Sequence, residues 1–307
     1  MSKILTLGAA LVAFAAVASS APAADPIAAP FPAATSGPVF IAAQTVTSTG
    51  ALQNQFAPGS SVIFRAYAVD SKAKTHKVLA AKDVKYFYVA IPNHPPLKYK
   101  YDAAAPGAST GLPWTATWTV PADYPQGTVA FKTLLKLTTK RQGQFIQMPV
   151  STAMLTISKT PPPVVSPGAP AGSAGVVQSG KLDLSLYVDS VAGTRPVGAP
   201  ARQIGCSQTN VYKRGEQLVV RAWGTDLNTS DVLSNDNVKE AHFSIAGQPD
   251  TVMNWGAHGT VGSQVFFWTN ALIVPQTFPL GEATVHVVFT TETGKTGTYD
   301  YVINVIP

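Results

Sequence analysis

Pro58-Gly59-Ser60-Ser61-Val62-Ile63-Phe64-Arg65-Ala66-Tyr67-Ala68-Val69-Asp70 and Arg214-Gly215-Glu216-Gln217-Leu218-Val219-Val220-Arg221-Ala222-Trp223-Gly224-Thr225-Asp226 are one phrase in two spellings. Each has a glycine in second place, alternates apolar residues along a strand, sets an arginine two residues before an aromatic ring, and closes on aspartate. After a loop two residues shorter in the second copy, the register resumes at Val84-Lys85 against Val238-Lys239 and runs without a gap to Gly143 against Gly297. Ile91 meets Ile245, Pro95 meets Pro249, Trp114-Thr115 meets Trp268-Thr269, Val120-Pro121 meets Val274-Pro275, and Pro125 and Gly127 meet Pro279 and Gly281. A register held that long identifies an internal duplication, each copy being a complete domain rather than a short solenoid repeat.

Within each copy the apolar residues recur with period two. Leu218, Val220 and Ala222 alternate with Val219, Arg221 and Trp223; Ala241, Phe243 and Ile245 alternate with Glu240, His242 and Ser244; Val285, Val287 and Phe289 follow suit. Final strands are expected at 298–306 and 147–157. Pro, Gly, Asn and Asp turns separate these runs, and no window carries a helical stripe. Only 12% of the 307 residues are charged, while 25 are proline and 24 glycine, which excludes long charged helices. The expected fold is all-β: two tandem antiparallel sandwiches at 38–158 and 181–307, joined by a Pro/Gly/Ser/Ala linker at 159–180.

Trp114-Thr-Ala-Thr-Trp118-Thr-Val-Pro-Ala-Asp-Tyr124-Pro-Gln-Gly127, with its echo from Trp268 to Gly281, resembles bacterial immunoglobulin-like or fibronectin-III-like domains. The resemblance spans both copies and implies a sandwich without specifying an activity. It implies a corner tyrosine at Tyr124, whose counterpart Phe278 has no hydroxyl. The chain has a single cysteine, Cys206, so apolar packing must supply the cohesion that a disulfide gives antibody domains. Trp114, Trp118 and Trp268 are the expected core anchors. Cys206 falls opposite Ala51 when one gap is allowed, so the fold needs no thiol there.

Lys3, the uncharged apolar run from Ile4 to Val17 and the small residues of Ala21-Pro22-Ala23 spell a secretory signal over 1–23. A flexible Ala/Pro leader is expected over 24–37. The expected location is the bacterial periplasm or the cell exterior.

The sequence contains no nucleophile elbow, zincin, P-loop or dinucleotide motif, and no cofactor is implied. Its five histidines, His76, His94, His242, His258 and His286, are scattered. In an immunoglobulin-like strand order His242 and His286 would stand on the outer face of neighbouring strands, the one arrangement here with metal-binding chemistry. The first copy has Tyr88 and Lys132 at those positions. Asp226, Asp231, Asp236 and Glu240 gather around one loop but lack the tight one-three-five spacing of a calcium site. Asp70 and Asp226 recur at equivalent strand ends, where a carboxylate accepts turn amides. Arg65 before Tyr67 and Arg221 before Trp223 fit a guanidinium stacked on a ring.

The net charge of +6 is a difference between unlike halves. Residues 38–158 hold 12 basic and 4 acidic residues, whereas 181–307 hold 8 and 11. The basic candidates are Lys72, Lys74, Lys77, Lys82, Lys85, Lys98, Lys100, Lys140 and Arg141. Such a surface suits an anionic partner: an acidic protein, an acidic polysaccharide or a membrane surface; export argues against nucleic acid. The expected function is a non-catalytic binding or accessory protein. The alternative is an enzyme, or an enzyme subunit, with a site at the domain interface or in the long loops 93–112 and 247–263. Those segments carry the candidate ligand contacts His94, Tyr99, Tyr101, Trp255 and His258, together with Met253.

Overall fold

A computed structural model describes residues 38–74, 76–102, 113–146, 154–160, 176–177, 182–194, 197–198, 207–259 and 264–307. The expected signal and leader, most of the linker and Cys206 lie outside these residues. The period-two pattern is realised as strands throughout, with one 3-10 turn at Ala81–Asp83 and no α-helix among the described residues. No helix there is long and apolar enough to cross a membrane.

The first sandwich contains β1 (Val39–Val46), β2 (Gln55–Phe56), β3 (Ser61–Asp70), β4 (Val84–Ala90), β5 (Leu97–Lys98), β6 (Lys100–Tyr101), β7 (Trp114–Thr119), β8 (Gly127–Thr128), β9 (Lys132–Leu137), β10 (Gln142–Ile146) and β11 (Thr156–Ile157). One sheet runs β1-β3-β7-β6 and faces another running β10-β9-β4-β5, with β2-β11-β8 alongside. After β12 (Val176–Val177) the second sandwich repeats the plan. Its strands are β13 (Leu184–Ala192), β14 (Val211–Lys213), β15 (Gln217–Asp226), β16 (Val238–Ile245), β17 (Thr251–Val252), β18 (Asn254–His258), β19 (Val265–Ile273), β20 (Gly281–Thr291) and β21 (Thr296–Ile306). Here β13-β15-β19-β18 faces a sheet in which β12-β21-β20-β16-β17 are paired. Of the final strand expected over 147–157, Thr156–Ile157 is present, and 147–153 lie outside the described residues.

The duplication extends to details that alternation cannot specify. A β-bulge interrupts β4 at Val84/Tyr86 and β16 at Val238/Glu240. The indole nitrogen of Trp114 donates to the Leu79 carbonyl at 3.0 Å, and that of Trp268 to the Leu233 carbonyl at 2.8 Å. Gly127 and Gly281 both take positive φ, 123° and 104°, at the start of equivalent strands. The three expected tryptophan anchors are all buried.

Asp70 and Asp226 accept the amides of Lys72 and Asn228 at 3.0 and 2.8 Å, as their strand-end positions require. Each also binds a cation at one equivalent position: Arg141 in the first copy, Lys295 in the second. Burial disfavours the ionised form of Asp226, but the hydrogen bonds from Lys295 and Asn228 outweigh it and hold the carboxyl below its usual range. A depressed folded pKa gives stability that is fully present above the unfolded value of about 3.9 and is lost as pH falls through the folded value. Asp226→Asn should therefore cost about 1–3 kcal/mol at neutral pH. It should also flatten the acid limb of a melting-temperature profile. An unchanged acid limb would show that Asp226 does not carry it.

The two sandwiches pack on each other around a pseudo-two-fold relation. Leu52 N donates to Asn210 Oδ1 at 2.9 Å, and the equivalent Gln208 N donates to Asn54 Oδ1 at 3.0 Å. Between them Gln53 bridges Thr209, its own counterpart in the repeat. Residue i meets j while j meets i, the reciprocity of an isologous dimer interface, here within one chain. Phe40, Ala42, Tyr67 and Val69 of the first sandwich belong to the apolar cluster of the second. The Tyr67 hydroxyl donates to the Leu186 carbonyl, and burial pushes its pKa upward. His76 sits buried at this seam with Nδ1 facing the Leu182 carbonyl at 2.8 Å and Nε2 facing the Ser71 carbonyl at 3.0 Å.

Candidate functional site

The described parts of the segments expected to be long loops contain sheet-switching strands. β5 pairs with β4 in one sheet and β6 with β7 in the other; β17 and β18 do the same against β16 and β19. The residue at each switch turns into the core: Tyr99 in the first copy, Met253 in the second, both 2% exposed. Tyr99 stacks near Phe87, with its hydroxyl 3.3 Å from Thr133 Oγ1, and is a core residue rather than a ligand contact. Tyr101 packs its edge on Trp114, and half-buried His94 packs on Trp118. Tyr124 also edges onto Trp118 and donates its hydroxyl to the Pro92 carbonyl at 2.8 Å. Residues 103–112 and 260–263 lie outside the described residues.

The basic candidates divide by location. Lys72, Lys74, Lys77, Lys82, Lys85 and Lys140 are exposed. The loop leaving Asp70, the turn before β4 and the β9–β10 turn meet at one end of the first sandwich, because Arg141 binds Asp70 and Thr138 N donates to the Asp83 carbonyl at 3.0 Å. Arg141 is thus engaged in a structural ion pair. Lys98 stands opposite Tyr88 on the outer face of the β10-β9-β4-β5 sheet, whereas Lys100 stands opposite Thr115 on the other sheet.

The outer face carrying Lys98 has a composition that counting runs of lysine did not reveal. Tyr86 and Tyr88 stack at 5.4 Å with 25° between planes. Lys136 pairs with Tyr86 and Gln142, Leu134 with Tyr88 and Gln144, and Lys132 with Ala90 and Ile146. Leu134 is 37% exposed beside a shallow depression lined by Tyr86, Gln142 and Gln144. The same positions of the second copy hold Glu240, His242, Val252, His286, Val288 and Thr290. One backbone thus presents lysine and tyrosine in the first copy, and acid, imidazole and aliphatic groups in the second.

His242 and His286 do stand on adjacent strands, in β16 and β20. Each Nδ1 is captured by a carboxylate on the far side: Asp250 beside β17 for His242, and Asp300 on β21 for His286. Each ring is therefore engaged by a carboxylate of its own. Among the described residues no group of three or more His, Cys, Asp or Glu is placed to hold a metal.

A second concavity lies on the outer face of the β13-β15-β19-β18 sheet, with a cavity volume of about 530 Å³. β18 runs five residues along β19 and builds one wall. Arg221 lies in the floor, 5.5 Å from the Trp223 ring and 5.9 Å from Phe267, which gives the expected stacking for this copy. Its charge is closed by Asp189: Nε donates to Oδ1 at 2.7 Å and Nη2 to Oδ2, while Gln208 Nε2 donates to Oδ2 at 2.6 Å. Asp189 was not among the sequence-read candidates. A lone acid inside the otherwise uncharged Leu-Ser-Leu-Tyr-Val-Asp-Ser-Val-Ala strand was the signal for it. His258 stacks on Phe267 at 3.9 Å and 16°. Burial first, and then the Arg221 charge, lower its pKa.

No protein-family model matches the chain, and no curated protein matches it. Among solved structures, the Bacteroides ovatus mixed-linkage glucan utilization locus SGBP-B, in complex with a mixed-linkage heptasaccharide, aligns with 81% of this chain and 53% of its own at 10% identity and a TM-score of 0.18. The chain spans about half the length of that structure. A likeness at that score carries no argument, and the all-β fold stands on the sheets themselves.

Proposed function

We propose that this is an exported, non-catalytic binding protein of two domains, 38–158 and 181–307, the first of which holds an anionic polymer. An acidic polysaccharide fits best. The carrying observation is the outer face of the β10-β9-β4-β5 sheet, where a stacked tyrosine pair is flanked by Lys98, Lys132 and Lys136. Stacked rings offer a flat apolar surface to a sugar ring, and ammonium groups at the flanks meet carboxylates or sulfates. The exposed lysines at the end of the sandwich extend the same field. Secretion by the signal over 1–23 would bring this face to polysaccharides of the periplasm or cell exterior. The enzyme alternative gains nothing from the groove's buried carboxylate, because Arg221 and Gln208 occupy both Asp189 oxygens and leave it no role as a base.

Titrating the mature chain with polygalacturonate at increasing salt tests the reading. Binding should weaken steeply as the screening length shrinks toward about 8 Å at physiological ionic strength. The double variant Lys98→Gln, Lys136→Gln should bind about three- to tenfold more weakly at low salt. Salt-independent binding, or equal binding by the variant, would remove this face as the site.

A further inference from the structure

The groove of the second sandwich has a different chemistry from the basic face of the first. Its floor and walls are largely apolar: His258 stacked upon Phe267, with Val191, Val219 and Ala271 around them. The floor's one fixed charge, Arg221, is matched by Asp189 with both groups almost fully buried. The imidazole of His258 is pushed toward its neutral form by burial and by Arg221. The groove as a whole therefore presents no net charge at neutral pH.

Its rim can form hydrogen bonds. Asn254, exposed, stands directly across from Thr269 on the groove side of the β18–β19 pair. Neutral His258 adds one donor and one acceptor nitrogen. The protein also leaves space at the centre: Gly256 pairs with Phe267, and a Cβ built on it would come within 4 Å only of His258 Nε2, at 3.8 Å. The cavity volume falls within the roughly 300–1,000 Å³ of ordinary small-ligand sites.

We infer that this groove is a binding site for a neutral oligosaccharide, separate from the anion-binding face of the first domain. A pyranose ring places an apolar C–H face against the half-buried His258 ring, itself stacked on Phe267, while its hydroxyls reach Asn254 and Thr269. An anionic ligand finds no unmatched cation here, because the Arg221 charge is already spent on Asp189. A purely apolar ligand would leave the amide and imidazole rim groups desolvated without partners, which is unfavourable. The first copy differs at equivalent positions: Gln44 stands opposite Arg65 where the second copy has Asp189, and Asp102 takes the place of Gly256.

The test titrates the mature chain with maltohexaose, cellohexaose and mannohexaose, and with hexagalacturonate as the charged control, by calorimetry at physiological salt. At least one neutral hexasaccharide should bind saturably to wild type and equally to the Lys98→Gln, Lys136→Gln variant, to which the uronate should bind more weakly than that sugar by about tenfold or more. Gly256→Phe, which fills the open space beside His258, should abolish that binding. His258→Ala should weaken it about tenfold while circular dichroism and melting stay near wild type. The inference is overturned if none of the neutral sugars binds at millimolar concentration, or if binding survives Gly256→Phe. Either failure leaves polygalacturonate binding at Lys98 and Lys136 untouched, so the two sites stand or fall separately.

Discussion

Asp189→Ala is expected to destabilise the second sandwich by about 3–5 kcal/mol, the cost of leaving a buried guanidinium without its counter-charge. Both members of the pair lie inside: Arg221 is 3% exposed and Asp189 2%. Asp189 takes two hydrogen bonds from Arg221 and one from Gln208, and the Tyr187 hydroxyl lies 3.5 Å from Oδ2. Truncating the acid strips the arginine of its ionic partner where almost none of its surface meets water. Exchanging both residues together, as Asp189→Leu with Arg221→Met, should cost far less than either single truncation, because no charge is then left buried. Urea denaturation of the two single variants and the double variant measures the coupling. A loss below about 1 kcal/mol for Asp189→Ala would mean that the Arg221 charge is solvated, which would also remove the neutral floor from the groove. The first copy shows the arginine without a carboxylate. Arg65 stands opposite Gln44, its Nε has no partner among the described residues, and desolvation lowers its pKa.

Gly143→Ala should cost about 3 kcal/mol, at the upper end of overpacking. A Cβ at Gly143 would lie 2.1 Å from the Val39 carbonyl oxygen and 2.9 Å from Val39 Cβ, so β10 could accept it only by moving away from β1. Backbone cannot rotate aside as a side chain can. At the equivalent Gly297 the added atom would meet Leu184 Cβ at 2.8 Å, and the leucine's outer atoms could yield in part. Gly297→Ala should therefore cost less than Gly143→Ala. As a control, Gly247 has φ of 80° with nothing within 4 Å of an added Cβ, and its alanine variant should lose only about 1 kcal/mol to left-handed strain. Equal losses at all three positions would refute the close-approach account.

Much of the fold was legible because a strand buried on one face writes its period into the chain. The duplicate register gave the equivalences that the bulge, the indole hydrogen bonds and the Asp70/Asp226 ion pairs all obey. The sheet switches were read as loops instead: Lys98-Tyr99-Lys100-Tyr101 has the alternation of an exposed ribbon, and only the change of partner strand buries Tyr99. Charge was read by runs, which found the lysines of the β3–β4 connection. It missed the face where Lys136 and Lys132 join Lys98 beside Tyr86 and Tyr88, since those residues come from three strands.

Sequence alone determined the strand period, the two copies, the tryptophan anchors and the opposite charge of the two halves, because each is a property of neighbours along the chain. Tertiary structure decided what those residues meet. It set Asn54 and Asn210 across a pseudo-two-fold seam, closed Arg221 with an acid 32 positions away, gave His242 and His286 each a carboxylate of its own, and left a groove between β15, β19 and β18. Pairing between strands far apart in sequence is fixed by sheet register and by the packing of one sandwich on the other. Neither leaves a local mark that residue types can carry.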